Sequence, residues 1–221
     1  MKKIGILLVA LTIFNTGYAV TNDAKKVPFT FNGYIPTSEA TVSQIAQTKV
    51  LDGSAISYPL FSGDSTVTKD MNKEMEKFIL QYKGDKNKTY NLTYTVESNN
   101  ASFISILFTI IEKDMKKNEV TTLYDAITFN VKNGLSLELK DLFVPGYDAA
   151  LKSQVIDKFR QFGFTTIDTK KYKFDGLVKK QKFYLENDAI VLIFNKDEAT
   201  TFGTEQAFIP FIITDLIGII K

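Results

Sequence analysis

The stretch Phe103-Ile104-Ser105-Ile106-Leu107-Phe108-Thr109-Ile110-Ile111 carries no charge and is apolar at odd and even positions alike. Successive side chains of a strand point to opposite faces, so this segment is expected to lie centrally in a sheet with both faces covered. Before it, residues 89–97 alternate: Tyr90, Leu92, Tyr94 and Val96 share one face, Asn91, Thr93, Thr95 and Glu97 the other. After it, residues 124–131 hold Ile127, Phe129 and Val131 in phase. Lys132-Asn133-Gly134 then turns the chain into 135–139, where Leu135, Leu137 and Leu139 share a face. The spacing predicts an antiparallel meander of four strands.

Outside the meander the periods change. Residues 44–51 and 55–60 form an expected hairpin about Asp52-Gly53, a strong two-residue turn signal. Met71, Met75, Phe78, Ile79 and Tyr82 recur at helical spacing, which predicts a helix over 68–82 closed by Gly84. A second helix is expected over 147–162, with Leu151, Val155, Ile156, Phe159 and Phe162 on its apolar face and Gly163 closing it. The lysine-rich 165–180 segment reads as helix and loop. Residues 181–186 and 189–195 form a second hairpin across Asn187-Asp188. A long loop over 196–206 leads to a last strand, 207–213, and Thr214 is expected to N-cap a short final helix through Ile220. The fold class is therefore α+β: an antiparallel β-sheet meander with two main helices packed on it and a short C-terminal helix. A transmembrane β-barrel is the rival, and two amphipathic helices and a two-sided strand count against it.

The N-terminus reads as an export signal over residues 1–19. Lys2 and Lys3 precede an apolar stretch, Ile4 to Phe14, and Gly17 and Ala19 occupy the −3 and −1 positions of a cleavage site. A stretch of eleven residues is too short to span a bilayer, which takes about 20. Cleavage would leave no transmembrane segment. Residues 20–44 are then a leader with an edge segment at Val27-Pro28-Phe29-Thr30-Phe31, and 45–221 the domain. Cleavage would also leave 25 basic against 25 acidic residues. A balanced chain has no field to draw in nucleic acid.

The 221 residues contain no histidine and no cysteine. Histidine-dependent triads and Cys–His pairs are excluded, and zinc, haem and iron–sulfur sites lose their usual ligands. No serine has a lysine three residues on, so a Ser-x-x-Lys dyad is absent too. No catalytic residue, metal site or cofactor is implied. What remains is carboxylate chemistry: Glu97, Glu112 and Asp125 lie on or near neighbouring strands and could flank a glycosidic bond. Their ordinary reading is solvated strand edges. Tyr90, Tyr94, Tyr124, Tyr172 and Tyr184 could line a sugar- or protein-binding face, although Tyr90 and Tyr94 share the phase of core residues.

Several blocks resemble a known family. They are Ile56-Ser57-Tyr58-Pro59, Met71-Asn72-Lys73-Glu74-Met75-Glu76-Lys77-Phe78, residues 102–111, residues 127–142 with Phe143, and Phe183-Tyr184-Leu185 running into 190–195. Together they resemble the RsiV-type exported domain, the extracellular part of a bacterial anti-sigma factor that senses lysozyme. Similar domains stand beside peptidoglycan deacetylases or alone. The likeness covers about 45–220 and is most specific in the expected strand–turn–strand that ends Leu139-Lys140-Asp141-Leu142-Phe143. Related sequences often carry a Gly-Gly-Ala-His-like stretch after the central strand; here residues 113–122 have neither glycine nor histidine. Their segment after the second hairpin is rich in Tyr, Pro, Ala and Gly, whereas here it begins Lys196-Asp197-Glu198-Ala199-Thr200-Thr201.

The resemblance implies a secreted or periplasmic non-catalytic binding module whose partner is lysozyme or peptidoglycan. The expected contact loops are 113–122 and 196–206. Glu119, Asp197, Glu198 and Glu205 are the acids expected to attract a basic partner such as lysozyme. The alternative is a carboxylate-dependent hydrolase acting on envelope glycans, and a third reading is a self-associating structural envelope protein.

Overall fold

A computed structural model describes residues 29–31, 39–201 and 206–221. The expected signal, the leader 20–26 and the start of the edge segment at Val27-Pro28 lie outside the described residues. The fold is α+β, built on two sheets. The first has five strands in the order β1 (Gln44–Leu51), β2 (Ser54–Phe61), β3 (Lys88–Asn99), β4 (Phe103–Asp114) and β5 (Glu119–Asn130). The second has three, β6 (Lys182–Leu185), β7 (Ala189–Phe194) and β8 (Ala207–Ile212). No helix among the described residues is long and apolar enough to cross a membrane.

Strand β4 takes the central place that its two-sided apolar sequence predicts. Ile104, Ile106, Phe108 and Ile110 pack on one face beneath α1 (Thr66–Leu80), whose Met71, Met75, Phe78 and Ile79 are buried against them. On the other face lies the second sheet: Phe103 enters a core shared with α3 (Asp148–Gln161) and β7, and Leu107 meets Tyr184 and Val191. Side-chain hydrogen bonds join the sheets at several points. The backbone N–H of Leu185 donates to Ser105 Oγ at 2.8 Å, and that hydroxyl lies 2.6 Å from Thr128 Oγ1. Ser98 Oγ donates to Asn187 Oδ1 at 2.8 Å, next to buried Asn100. Asn195 clamps both backbone groups of Tyr124, at 2.7 and 3.0 Å.

The first hairpin forms as its turn residues dictate. Leu51 faces Ser54 across Asp52 and Gly53, whose φ values of 44° and 85° suit a type I′ turn. Helix α1 begins two residues before the expected start because Ser65 caps it, accepting the Thr68 N–H at 3.1 Å. It then serves as the crossover between β2 and β3, which pair in parallel at Ala55–Asn91 and Ile56–Leu92. Alternation alone cannot tell parallel from antiparallel pairing, so this seam is not visible in the residue pattern.

Several expectations are corrected. The meander has three antiparallel strands, not four: 135–139 makes a single bridge, Ser136 to Phe129, and then enters a short turn of helix, α2 (Leu139–Leu142). A capping box between Glu138 and Asp141 drives that change. Segment 165–180 contains no helix; it is held by bridges from Thr166 to Thr200 and from Asp168 to Lys173. Phe162 is half exposed rather than part of the α3 face, since the helix ends at Gln161 and Phe162 is its C-cap, one residue before the turn at Gly163 (φ 73°). Thr214 does not cap a helix; it lies inside a 3-10 turn, Ile213–Leu216.

Gly84 has a different role from the expected helix stop. Helix α1 ends at Leu80, and Gly84 instead abuts the first hairpin, donating its N–H to Leu51 O at 3.0 Å. A Cβ there would stand 2.2 Å from Asp52 O, a backbone atom that cannot swing aside. Gly84→Ala is expected to lower stability by about 1–3 kcal/mol, read as a reduced urea midpoint; an unchanged midpoint would show that the turn yields.

Candidate functional site

Of the acids expected to attract a basic partner, the described ones, Glu119, Asp197 and Glu198, lie on separate segments. The 113–122 segment is not a long loop: β4 and β5 pair through Asp114–Glu119, leaving only residues 115–118 at the tip. The Asp114 carboxylate accepts the Lys116 and Lys117 N–H groups at 2.9 and 3.1 Å, and these bonds hold its pKa below the usual carboxylate range. Glu119 therefore sits in a strand. Segment 196–201 begins where Asn195 grips Tyr124, five residues farther along β5, a separation of roughly 17 Å at about 3.4 Å per residue. Glu198 is turned inward, its Oε2 accepting the Asn195 N–H at 2.7 Å. Asp197 adopts a left-handed backbone at φ 63°. Glu205 lies outside the described residues.

The hydrolase carboxylates are also dispersed. Glu112 is 2.6 Å from Lys88 Nζ. Asp125 stands opposite Phe108, four residues along β4 from Glu112. That spacing is roughly 13 Å, beyond the separation of up to about 9.5 Å that paired glycosidase acids need. Glu97 belongs to a different group, with Tyr184 and Glu186. Burial raises the Glu186 pKa, and Glu97 and Asp188 add to the shift; the Tyr184 hydroxyl is pushed up to about 12, first by burial. The tyrosines serve packing: Tyr90 and Tyr94 lie against the α1 core, while Tyr124 and Tyr184 both meet Phe208 between the sheets. Tyr172 is 42% exposed and donates to Glu198 O at 3.0 Å.

The concave feature that the fold does build lies elsewhere. A cleft of about 840 Å³ opens between the end of α1, β5, the start of α3 and segment 175–183. Its floor holds Asp125, whose side chain is only 15% exposed. Tyr82 donates its hydroxyl to Asp125 Oδ2 at 2.6 Å, the Ala126 N–H donates to Oδ1 at 2.8 Å, and Lys182 Nζ is 3.6 Å from Oδ2. Burial, and then Asp125 itself, push the Tyr82 pKa strongly upward, so the phenol keeps its proton and remains the donor. On the rim, Lys152 holds Asp175 at 2.8 Å and lowers its pKa, and Lys140 pairs with Glu138. Lys179 and Lys180 also line the cleft, and neither makes an ion pair among the described residues. Tyr147, partly exposed and stacked by one face on Phe143, also lines it, over the buried ring of Phe183. The arrangement can hold a polar chain with anionic groups: donors and acceptors at the floor, an apolar wall, and cations at the mouth. Residue patterns did not point to it, because its parts come from five separate segments. Only the lysine-rich 165–180 run hinted at one side.

The Glu97–Glu186 group makes a stability prediction. A carboxyl whose pKa is raised on folding stabilises the fold only while protonated, below the unfolded value of about 4.3; that stability is lost as pH rises through the folded value. Glu186→Gln is expected to raise the urea midpoint at pH 7, with the difference from the parent closing toward pH 4. Equal midpoints at both pH values would show that the buried charge is not felt.

No protein-family model matches the chain, and no curated protein matches it. Solved structures do. The chain is similar to a member of the DUF3298 family from Bacteroides fragilis, with a TM-score of 0.55 at 14% identity over 84% of this chain and 94% of that one. It is also similar to a DUF3298 family protein from Pseudomonas aeruginosa, with a TM-score of 0.48 at 13% identity over 83% of this chain and 95% of that one. At such identity the Bacteroides fragilis likeness speaks to architecture: the two-sheet α+β fold of this chain is one that a DUF3298 protein shares.

Proposed function

We propose that the chain is an exported, non-catalytic binding module that holds an anionic glycan of the bacterial cell envelope, such as peptidoglycan, in the cleft above Asp125. The observation that carries this reading is the mouth of the cleft. Lys179 and Lys180 stand there with no carboxylate partner among the described residues, in the same cleft as the partly exposed ring of Tyr147. Sugar rings stack on aromatic faces, and uncommitted ammonium groups favour carboxylates on the ligand. The export signal over residues 1–19 and the resemblance to the RsiV-type domain support an envelope setting. The missing imidazole and thiol groups favour recognition over bond cleavage.

Lysozyme, the other partner that the resemblance suggests, has weaker support. Among the described residues Glu119 stands apart from Asp197 and Glu198, and Glu198 is spent on the chain's own backbone. A glycan hydrolase is disfavoured by the separation of Glu112 from Asp125 and by the engagement of both Asp125 oxygens.

Co-sedimentation with purified peptidoglycan, with lysozyme in a parallel arm, tests the reading. Peptidoglycan is expected to retain the chain, more weakly as salt rises. The Lys179→Ala/Lys180→Ala double variant is expected to bind about tenfold less tightly, equivalent to ~1.4 kcal/mol. No retention, or retention indifferent to the two lysines, would remove this proposal.

A further inference from the structure

Strand edges offer unpaired N–H and C=O groups to other chains, and proteins usually close them. Three edges here are closed or blunted. From Tyr124 to Asn130, β5 is occupied by Asn195 at Tyr124, by Asp125 at Ala126 N–H, by Leu137 N–H at Thr128 and by Leu135 O at Asn130. Leu185 of β6 spends its N–H on Ser105. Strand β8 carries Pro210, which has no N–H to offer.

Strand β1 has none of these devices. It has one neighbour among the described residues, β2, and pairs with it over eight positions without a bulge. It contains no proline, and its single charge, Lys49, is drawn to Glu76 on α1. The Ser62 N–H donates to Ser43 O at 2.8 Å, which sets the phase of the ladder. Residues 43, 45, 47, 49 and 51 bond to β2, and the backbone groups of Gln44, Ala46, Thr48 and Val50 point away from it. Val50 is 71% exposed and Ile45 52%.

We infer that this edge is an interface with a second copy of the chain, pairing β1 with β1 antiparallel about a two-fold axis at Thr48. The sequence is self-complementary in that register. Thr48 faces Thr48 of the second copy, Ala46 faces Val50 on one side of the sheet, and Ile45 faces Leu51 on the other. Three of the four pairings join like to like, as cross-strand pairs prefer, and the fourth sets Gln47 against Lys49 without opposing like charges. Centring on Lys49 would set two ammonium groups face to face. Centring on Gln47 would set Ile45 against Lys49 and Val50 against Gln44. The result is one continuous ten-stranded sheet with both α1 helices on the same face.

The absence of cysteine makes a clean test. In the chain as processed on export, Thr48→Cys places two thiols across the axis at a Cα separation of about 5.5 Å, within disulfide reach. Val50→Cys places them roughly 14 Å apart, four residues out of register. The solution mass of the unaltered chain is expected to double with rising concentration. Thr48→Cys should cross-link under mild oxidation while Val50→Cys stays uncrosslinked. Thr48→Pro, which removes an N–H that β2 does not use, should abolish the doubling and keep the hairpin. A chain that stays monomeric, that cross-links equally at both positions, or whose edge takes up an extended peptide instead, overturns the inference.

Discussion

Strand β4 has to satisfy two cores at once, and the rest of the molecule is arranged around that demand. Its even-numbered residues belong to the layer under α1, and its odd-numbered residues to the layer against the second sheet. The odd face is not uniformly apolar. Ser105 sits there fully buried, and its hydroxyl is shared between Thr128 and the Leu185 backbone. Leaving such a group unpaired would cost about 1–3 kcal/mol, so it fixes where β6 can lie. That placement brings Lys182 to Asp125 and lays segment 175–180 across from α1. The cleft is thus a by-product of the joint between the sheets.

The parts of this architecture that could be read in advance are those whose signals are local. The Asp52-Gly53 turn, the apolar face of α1 and the two-sided run of β4 each carry their own period or turn chemistry, and each appears in its expected place. The misread parts are those decided by distant partners. Leu135, Leu137 and Leu139 alternate like a strand, yet Leu139 is buried in the α3 core and the Glu138–Asp141 box tips the chain into a helical turn. The resemblance suggested a loop over 113–122, a segment rich in charge. Paired strands with exposed faces tolerate such residues, and Asp114 caps the tight turn itself. Segment 165–180 has no period because Ile167, Phe174 and Leu177 enter the core at irregular steps.

The site was less legible than the fold. Acids are informative only when folding brings them together, and Glu119, Asp197 and Glu198 are parted by the geometry of β5. Asp125 was noticed for its carboxylate, but its surroundings of Tyr82, Lys182 and the α3 rim depend on contacts across more than forty positions of sequence.

The two extremities of the described chain are clasped together. The Phe31 N–H donates to Lys221 O at 2.6 Å, and the Lys221 N–H donates to Leu142 O at 2.9 Å. A covalent bridge between these ends would span almost no distance and so close at little entropic cost. The polypeptide is consequently suited to circular permutation: it could be cut at the exposed Lys170–Lys171 turn and rejoined at the clasp with every strand still meeting its native neighbour.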